Sequence, residues 1–390
     1  MYQGAYIFNQ VVEFLPHWKF NELVRKYQGN RYVKEFTCWN YLMALIFGQL
    51  LDRESCRDLI CALEVHRSKW QHLGMGKKIS RSNLSYAGQH RDYRIFKEFA
   101  EYVIAQAQKA RSGYNNISET FKDKAVYAFD SSTISLCLSI FEWCRYRYEK
   151  SAVKLHTLFD VQKEIPVFNI VTEALPHDST AMKEIPYESG AFYIFDRAYM
   201  NTAELYSIHL KKAFFVVREK TNMLYDVVED KLYCNQATGI LHDQIIRLTG
   251  VKTQEQYSEN LRRIVFYDGE HDRVFVFYTN NTDITPEEVA LLYKNRWKVE
   301  LFFKWLKQHL RIKEFYGTSE NAVKIQIYSA IITYCLVAIV QQNYHIEVST
   351  YTVLRKISAG WFETCSIPDL FANVHEETVP KDEGQLYLEF

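Results

Sequence analysis

The chain has 390 residues, and its 47 basic side chains balance 47 acidic ones to a formal net charge of zero. A chain of that length supports two or three domains, and 48% hydrophobic against 24% charged residues is the balance of a globular protein rather than a disordered one. Neutrality excludes a basic coat over the whole surface, so any polyanion has to be met locally. Such a local excess runs from Lys294 to Lys313, where Glu300 is the only acid, whereas acids gather in the tail at Glu376, Glu377, Asp382 and Glu383. The eight cysteines contain no CxxC and no Cys/His grouping at zinc spacing, which points to free thiols in a reducing compartment. MYQGAYIFNQ lacks a basic segment followed by an apolar one, so no signal peptide is expected. The apolar run from Ile325 to Val340 is interrupted by Gln326, Tyr328, Ser329, Thr333 and Tyr334, which favours a core helix over a membrane span. The expectation is a cytoplasmic protein without membrane contact.

Residues 1–115 read as helical. Phe8, Val11, Val12 and Leu15 recur at helical spacing, FNELVRKY follows, and a long apolar-periodic segment runs from Thr37 to Leu51, with another helix from Glu54 to Leu63. Ser80, Arg81, Ser82, Asn83 and Ser85 then precede a helix carrying Arg91 and Arg94, a pattern shared by helix-turn-helix units and by ordinary bundles capped at a serine. RSGYNNISET, residues 111–120, is a boundary.

Strands begin at Ala125–Phe129, which ends in Asp130 with Ser131, Ser132 and Thr133 behind it. Val153–Phe159 and Val167–Thr172 form a hairpin. Ser179–Ile185 is a short helix, Ala191–Phe195 a strand ending in Asp196, Asn201 the cap of a helix through Leu210, and Ala213–Val217 a fifth strand. A hairpin followed by crossovers is the order of a ribonuclease-H-like sheet rather than a Rossmann one. Residues 219–283 read as a β-rich insertion with a hairpin signal at Asp268-Gly269. Thr285-Pro286-Glu287-Glu288 starts a helix, since Thr caps, Pro takes the first helical position and Glu288 closes a capping box. A long helix spans about Asn321 to Tyr344, and the tail from Gly360 reads as loosely ordered or partner-dependent.

The chemistry concentrates in YKNRWKVELFFKWLK, Tyr293 to Lys307. On one helix at about 100° per residue, Tyr293, Arg296, Glu300 and Lys307 fall within roughly a 60° arc. An ordinary surface helix of mixed charge shares this pattern. Asp130 and Asp196 each follow an apolar strand, where ligands collect in α/β sheets. If the first and fourth strands are neighbours, the two acids approach each other and a helix packed on the sheet adds Glu300. Three carboxylates suit a pair of Mg²⁺ ions, and Arg296 and Lys307 are the phosphate-binding cations. A turn or helix cap is the competing reading of either Asp. Arg145, Arg147, Lys150 and Lys154 form a basic run read as DNA backbone contact, with Arg218 and Lys220 extending that surface. Lys154 and His156 share a strand face, and Trp297 and Trp305 are read as packing residues.

The spacing Tyr293, Arg296, Glu300, Lys307 resembles without a gap the Tyr-Arg-Glu-Lys signature of DDE transposases of bacterial insertion sequences, of the IS-four type. Asp196-Arg197-Ala198-Tyr199 resembles that family's Asp-Arg-Gly-Tyr with Ala for Gly, and Asp130 has the expected setting of its first Asp. The resemblance covers about residues 120–345, and the helical N-terminal region is similar to a domain of unknown function that precedes this catalytic domain. It implies a ribonuclease-H-like core at 120–218 and 284–345, the β-rich insertion 219–283, a helical DNA-binding domain 1–115, and a tail 346–390 with dimerisation as a candidate role. It also implies Asp130, Asp196 and Glu300 as catalytic ligands of two Mg²⁺ ions, with Mn²⁺ able to substitute. Tyr293, Arg296, Lys307, Arg197, Tyr199, Lys154 and Arg218 are the implied DNA contacts. The implied partners are double-stranded DNA, as transposon ends and target, and a second copy of the chain in a synaptic complex near the bacterial nucleoid. The implied activity is cut-and-paste transposition. A nuclease of the same fold that does not join strands, and an inactive DNA-binding remnant, are the alternatives. Relatives use a Trp in the insertion to accept a flipped base, and none lies between Thr221 and Thr285, which leaves Tyr267 or Tyr278 as candidates for stacking.

Overall fold

The computed structural model describes residues 5–51, 55–71, 73–76, 79–114, 117–136, 143, 145–147, 150–173, 178–220, 223–231, 238–309 and 315–372. Six helices come first: α1 (Ile7–Val12), α2 (His17–Lys26), α3 (Cys38–Leu50), α4 (Cys56–Val65), α5 (Arg81–His90) and α6 (Tyr93–Ala110). Their starts follow local chemistry. Thr37 and Asn40 form a capping box on α3, Ser80 Oγ accepts from Asn83 N at 3.2 Å on α5, and Asp92 caps α6.

The strands are β1 (Val126–Leu136), β2 (Arg145–Arg147), β3 (Lys150–Asp160), β4 (Ile165–Glu173), β5 (Phe192–Phe195), β6 (Phe214–Arg218), β7 (Tyr225–Asp230), β8 (Ile240–Leu248), β9 (Leu261–Asp268) and β10 (Arg273–Thr279). Helix α7 (Thr202–Leu210) links β5 to β6 and is capped by Asn201, and α8 (Val251–Gln256) lies between β8 and β9. All ten strands form one mixed sheet in the order β2-β3-β1-β5-β6-β10-β9-β8-β7, with β4 paired to β3. The first and fourth expected strands are indeed neighbours, since β1 pairs with β5 in parallel.

One expectation shifts. The first strand does not end at Phe129: it continues through Asp130 to Leu136, because β3 remains its antiparallel partner, with Asp130 opposite Thr157. The β-rich insertion joins the same sheet, since β10 pairs antiparallel with β6 and carries the rest of the insertion onto that edge.

The central strands are apolar on both faces, as strands covered on both sides must be. Alternation assigns the faces. Val126, Ala128, Phe192, Ile194 and Val216 belong to the larger core, which they share with the N-terminal helices and the C-terminal half of the chain. Tyr127, Phe129, Tyr193, Phe195, Phe215 and Val217 belong to a smaller core covered by α7.

The larger core is closed by α9 (Pro286–Asn295), α10 (Trp297–His309), α11 (Glu320–Asn343), α12 (Thr350–Ala359) and α13 (Ile367–Phe371). Thr285 and Glu288 form the expected capping box on α9. Helix α11 is long and apolar enough to span a bilayer, but 94% of its most apolar window is buried inside the protein. It packs on α6, α3 and α5, so the N-terminal helices and the sheet share one continuous core. The chain after Gly360 differs from expectation up to residue 372. Trp361 is buried against Phe8, Ile7 N donates to Glu363 O at 3.0 Å, and Gln10 Nε2 donates to Cys365 O at 2.7 Å. Residues 373–390, with the acidic tail, lie outside the described residues.

One buried ion pair ties the insertion to the start of α9. Arg262 and Asp243 are bidentate, at 2.7 and 2.8 Å, with side chains only 3% and 5% exposed, and Arg262 Nη1 also donates to Ile284 O at 2.6 Å. Removing one partner strands the other charge in the core. Arg262→Ala is expected to cost about 3–5 kcal/mol in urea unfolding, and the double replacement Arg262→Met with Asp243→Leu to cost clearly less. An Arg262→Ala protein as stable as wild type would remove this anchor from the fold.

Candidate active site

Parity and register bring the first two acids together. Phe129 is paired with Phe195, so Asp130 and Asp196 stand one residue further along adjacent parallel strands. Both share the parity of Ala128 and Ile194, which places them on the face of the larger core. Asp196 is extended at φ −77°, ψ 166°, so the alternation carries through it. Strand β5 ends there while β1 continues, and this opens a step in the sheet at the two carboxylates.

Helices α9 and α10 cross that face. The single helix expected from Tyr293 to Lys307 is two helices with Arg296 at the junction. Arg296 N donates to Tyr293 O at 3.0 Å and Val299 N to Arg296 O at 3.2 Å, a tightened turn that keeps Arg296 in the right-handed region at φ −54°, ψ −33°. The predicted arc therefore survives the break. Tyr293 Oη donates to Asp196 Oδ1 at 3.2 Å, Arg296 Nη1 to Asp130 Oδ2 at 3.1 Å, and Arg296 Nη2 to Glu300 Oε1. The structure thus gathers Asp130, Asp196, Glu300, Tyr293 and Arg296 into one cluster.

Its electrostatics follow from crowding acids in a partly buried place. Burial pushes the Asp130 carboxyl up to about 7, the Arg296 guanidinium and the Ser131 N–H pull it down, and Glu300 and Asp196 push it further up. Burial acts to lower the Arg296 pKa, but Tyr293, Asp130, Glu300 and Asp196 together hold it above its ordinary value. Burial pushes the Tyr293 phenol up to about 12, so at neutral pH it is a donor to Asp196.

The step in the sheet opens into a cleft of about 380 Å³ lined by Asp130, Ser131, Ser132, Glu300, Lys304 and Lys307 among others. Lys307 therefore shares the cleft with the acids. Lys304 was not singled out from sequence, although it lies four residues after Glu300 and so on the same helical face. Lys298 anchors the helix from its other side: Nζ donates to Val161 O at 2.9 Å and lies 3.5 Å from Glu164. Its pKa is lowered by burial, against the pull of Glu164.

Other expected contacts fare differently. Tyr199 is 1% exposed and packs on Phe129 and Phe195, so it is a core residue rather than a DNA contact; its ring fills the smaller core where a surface residue was expected. Arg91 is also buried, donating to Gly29 O and Phe36 O at 2.9 Å each, so it is not presented as a helix-turn-helix reader, whereas Arg94 stays exposed and pairs with Asp92 at 2.6 Å. Tyr278 is buried with its hydroxyl donating to Glu219, which leaves it no face for stacking, whereas Tyr267 is 38% exposed. His156 is buried and bonded to Thr172 at 3.0 Å. Arg218 lies over Phe275 and within electrostatic reach of Tyr293. Arg197 is exposed and Lys154 half-buried opposite Thr133. Trp305 packs edge-on against Tyr334, as expected of a packing residue. The side chains of Arg145, Arg147 and Lys150 lie outside the described residues.

The donor set suits a hard divalent cation. Every candidate ligand is a carboxylate oxygen, and the cluster already stabilises positive charge, since a guanidinium bridges two of its members. The titration of Asp130 gives a test with a definite sign. Its folded pKa of about 7 lies above the ordinary carboxyl value of 3.8, so protonated Asp130 favours folding at low pH, and that contribution is lost progressively as pH rises towards 7. With chelator present, this contribution to the unfolding free energy is expected to fall between about pH 4 and 7, and Asp130→Asn to flatten that fall. Parallel pH profiles for the two proteins would show that Asp130 titrates normally.

Comparison with known proteins then gives the relationship. The family model described as "Transposase DDE domain" matches residues 121–336, and a domain of unknown function matches residues 3–76. A protein of Sinorhizobium fredii named as a transposase is 34% identical over 200 residues, which are 50% of this chain and 56% of that protein. One of Geobacillus stearothermophilus, named as a transposase for an insertion sequence element, is 28% identical over 55% of this chain and 56% of its own length. One of Synechocystis, similarly named, is 22% identical over 69% of this chain and 75% of its own. The chain thus spans little more than half the length of the first two relatives. Among solved structures, the piggyBac transposase in a synaptic complex with hairpin DNA covers 97% of this chain and 87% of its own, at a TM-score of 0.46 and 10% identity, a likeness too low to argue from. The family match takes in more than half of the chain, and its span includes Asp130, Asp196 and Glu300 together; the chain belongs to the DDE transposase family.

Proposed function

We propose that this protein is a DNA transposase that cuts at the terminal inverted repeats of an insertion sequence and joins the 3′ ends to target DNA. The observation that carries the reading is the convergence of Asp130, Asp196 and Glu300 beside a cleft that also holds Lys304 and Lys307. The parallel strands β1, β5 and β6 beside the antiparallel β3 and β4 support a ribonuclease-H-like core as its frame.

In this reading Asp130, Asp196 and Glu300 hold divalent ions, two Mg²⁺ with Mn²⁺ as a substitute. When bound, such ions activate an attacking oxygen and neutralise a leaving one in an in-line phosphoryl displacement. Tyr293 keeps one oxygen of Asp196 oriented through its hydroxyl. Lys304 and Lys307 hold a backbone phosphate at the open side of the cleft, with Arg296 behind it. Arg197, Lys154 and Arg218 extend the DNA surface. The N-terminal helices and the tail supply further contacts to the ends or to a second protomer, which synapsis of two ends requires.

Incubation with linear DNA carrying the element's ends and Mg²⁺ is expected to yield cleaved ends and joined products. Cleavage without joining would instead mark a nuclease, and end binding without cleavage under any divalent ion a remnant. Asp130→Asn, Asp196→Asn and Glu300→Gln are each expected to abolish cleavage while leaving end binding largely intact. Wild-type cleavage by one of them would remove that residue from the site. Lys304→Ala and Lys307→Ala are each expected to weaken end binding and to lower the salt slope by about 1; an unchanged slope would remove that lysine from the phosphate path.

A further inference from the structure

The cation between Asp130 and Glu300 belongs to the chain itself. Arg296 Nη1 lies 3.1 Å from Asp130 Oδ2 and its Nη2 reaches Glu300 Oε1. A divalent ion bridging these two carboxylates would need the oxygens that the guanidinium holds. Arginine cannot give way by losing its proton, so it can only move. Its grip is incomplete. The buried Nε has no hydrogen-bond partner among the described residues, and the third acid, Asp196, is held by Tyr293 rather than by the guanidinium. Both carboxylate partners of the guanidinium, Asp130 and Glu300, line the cleft that carries Lys304 and Lys307.

We propose that Arg296 is a placeholder cation: it occupies the shared position between Asp130 and Glu300, yields it to a divalent ion, and on leaving takes up a DNA phosphate. The proposal rests on reading Asp130, Asp196 and Glu300 as metal ligands. Its consequence is linkage. An ion and DNA each favour the displaced state of one side chain, so each raises the affinity of the other by the same factor. Without DNA, Arg296 competes with the ion, which restrains metal loading until a duplex is present. A permanent structural ion pair makes the opposite forecast: removing the arginine would let the carboxylates splay and weaken metal binding.

Mn²⁺ binding to the full chain, followed by calorimetry and by the paramagnetic resonance of free Mn²⁺, separates the two. Without DNA, Arg296→Gln is expected to bind Mn²⁺ roughly tenfold more tightly than wild type, since a positive charge close to two carboxylates is removed. Arg296→Lys, whose single ammonium cannot fork across both oxygens, is expected to fall between them, and it serves alone if Arg296→Gln does not fold by circular dichroism. A short mixed-sequence duplex is expected to raise the Mn²⁺ affinity of wild type and to do so much less for Arg296→Gln. Asp130→Asn provides the reference. If it binds Mn²⁺ as well as wild type, both the ligand reading and the placeholder fall. If it binds more weakly but folded Arg296→Gln gains no affinity, or loses it, only the placeholder falls.

Discussion

Mutual repulsion among Asp130, Asp196 and Glu300 is the constraint around which this molecule is arranged. Two of these acids are placed side by side by strand register, with no freedom to move apart, because the residues before them are fully buried on both faces of the sheet. The third is brought in on a helix whose apolar face is committed to the same core through Val299, Phe302 and Leu306. Hydrophobic burial thus forces together charges that electrostatics would separate. Arg296 and Tyr293 make the arrangement tolerable, one by forking between two carboxylates and the other by donating to the third. A fold optimised for stability alone has no need of such a cluster, and clusters of this kind mark places where stability is set against function.

The frame that holds the cluster draws on distant parts of the chain. The turn between β3 and β4 is gripped from three helices. Arg111 donates to Lys163 O at 2.8 Å, Tyr334 to Glu164 O at 2.9 Å and Lys298 to Val161 O at 2.9 Å. Lys298 stands two residues before Glu300, so this grip sets the height of the third carboxylate over the sheet. At the other end Arg262 holds Ile284 O, just before the cap of α9. The N-terminal helices and the insertion are therefore part of what positions the site, whatever else they bind.

Much of this was legible in the sequence because the signals were local. Strand β5 with Asp196 behind it, the cap at Asn201, the Thr285 capping box and the long apolar helix α11 are each written in a few neighbouring residues, and the Tyr293, Arg296, Glu300 spacing pointed to one face. What was misread depends on partners far along the chain. Asp130 lies within a strand because β3 continues opposite it, and nothing near Asp130 in sequence announces that. Tyr199 looked available beside Asp196, yet its ring turns into the smaller core, where Phe129 and Phe195 wait for it. Arg91 looked like a surface cation, but its two terminal nitrogens donate to the buried carbonyls of Gly29 and Phe36. The tail read as loose because its polar composition conceals Trp361 and Ile367, which complete the core beside α1.

Neutral composition and a local charge pattern also bear on how a phosphate would be held. Three carboxylates outnumber the single guanidinium among them, so the inner part of the site, around the acids, stays net negative even with Asp130 protonated, while Lys304 and Lys307 line the same cleft. A phosphodiester drawn in by the lysines would meet net negative charge before its phosphorus reached the carboxylates. Without further cations that repulsion would hold the reacting atoms away from the acids, and the acids would have no role in the chemistry. On the proposed reading divalent ions reverse the sign of the inner part, so that one cleft attracts phosphate along its whole length. The lysines then set where the backbone lies, and the carboxylates set where it reacts.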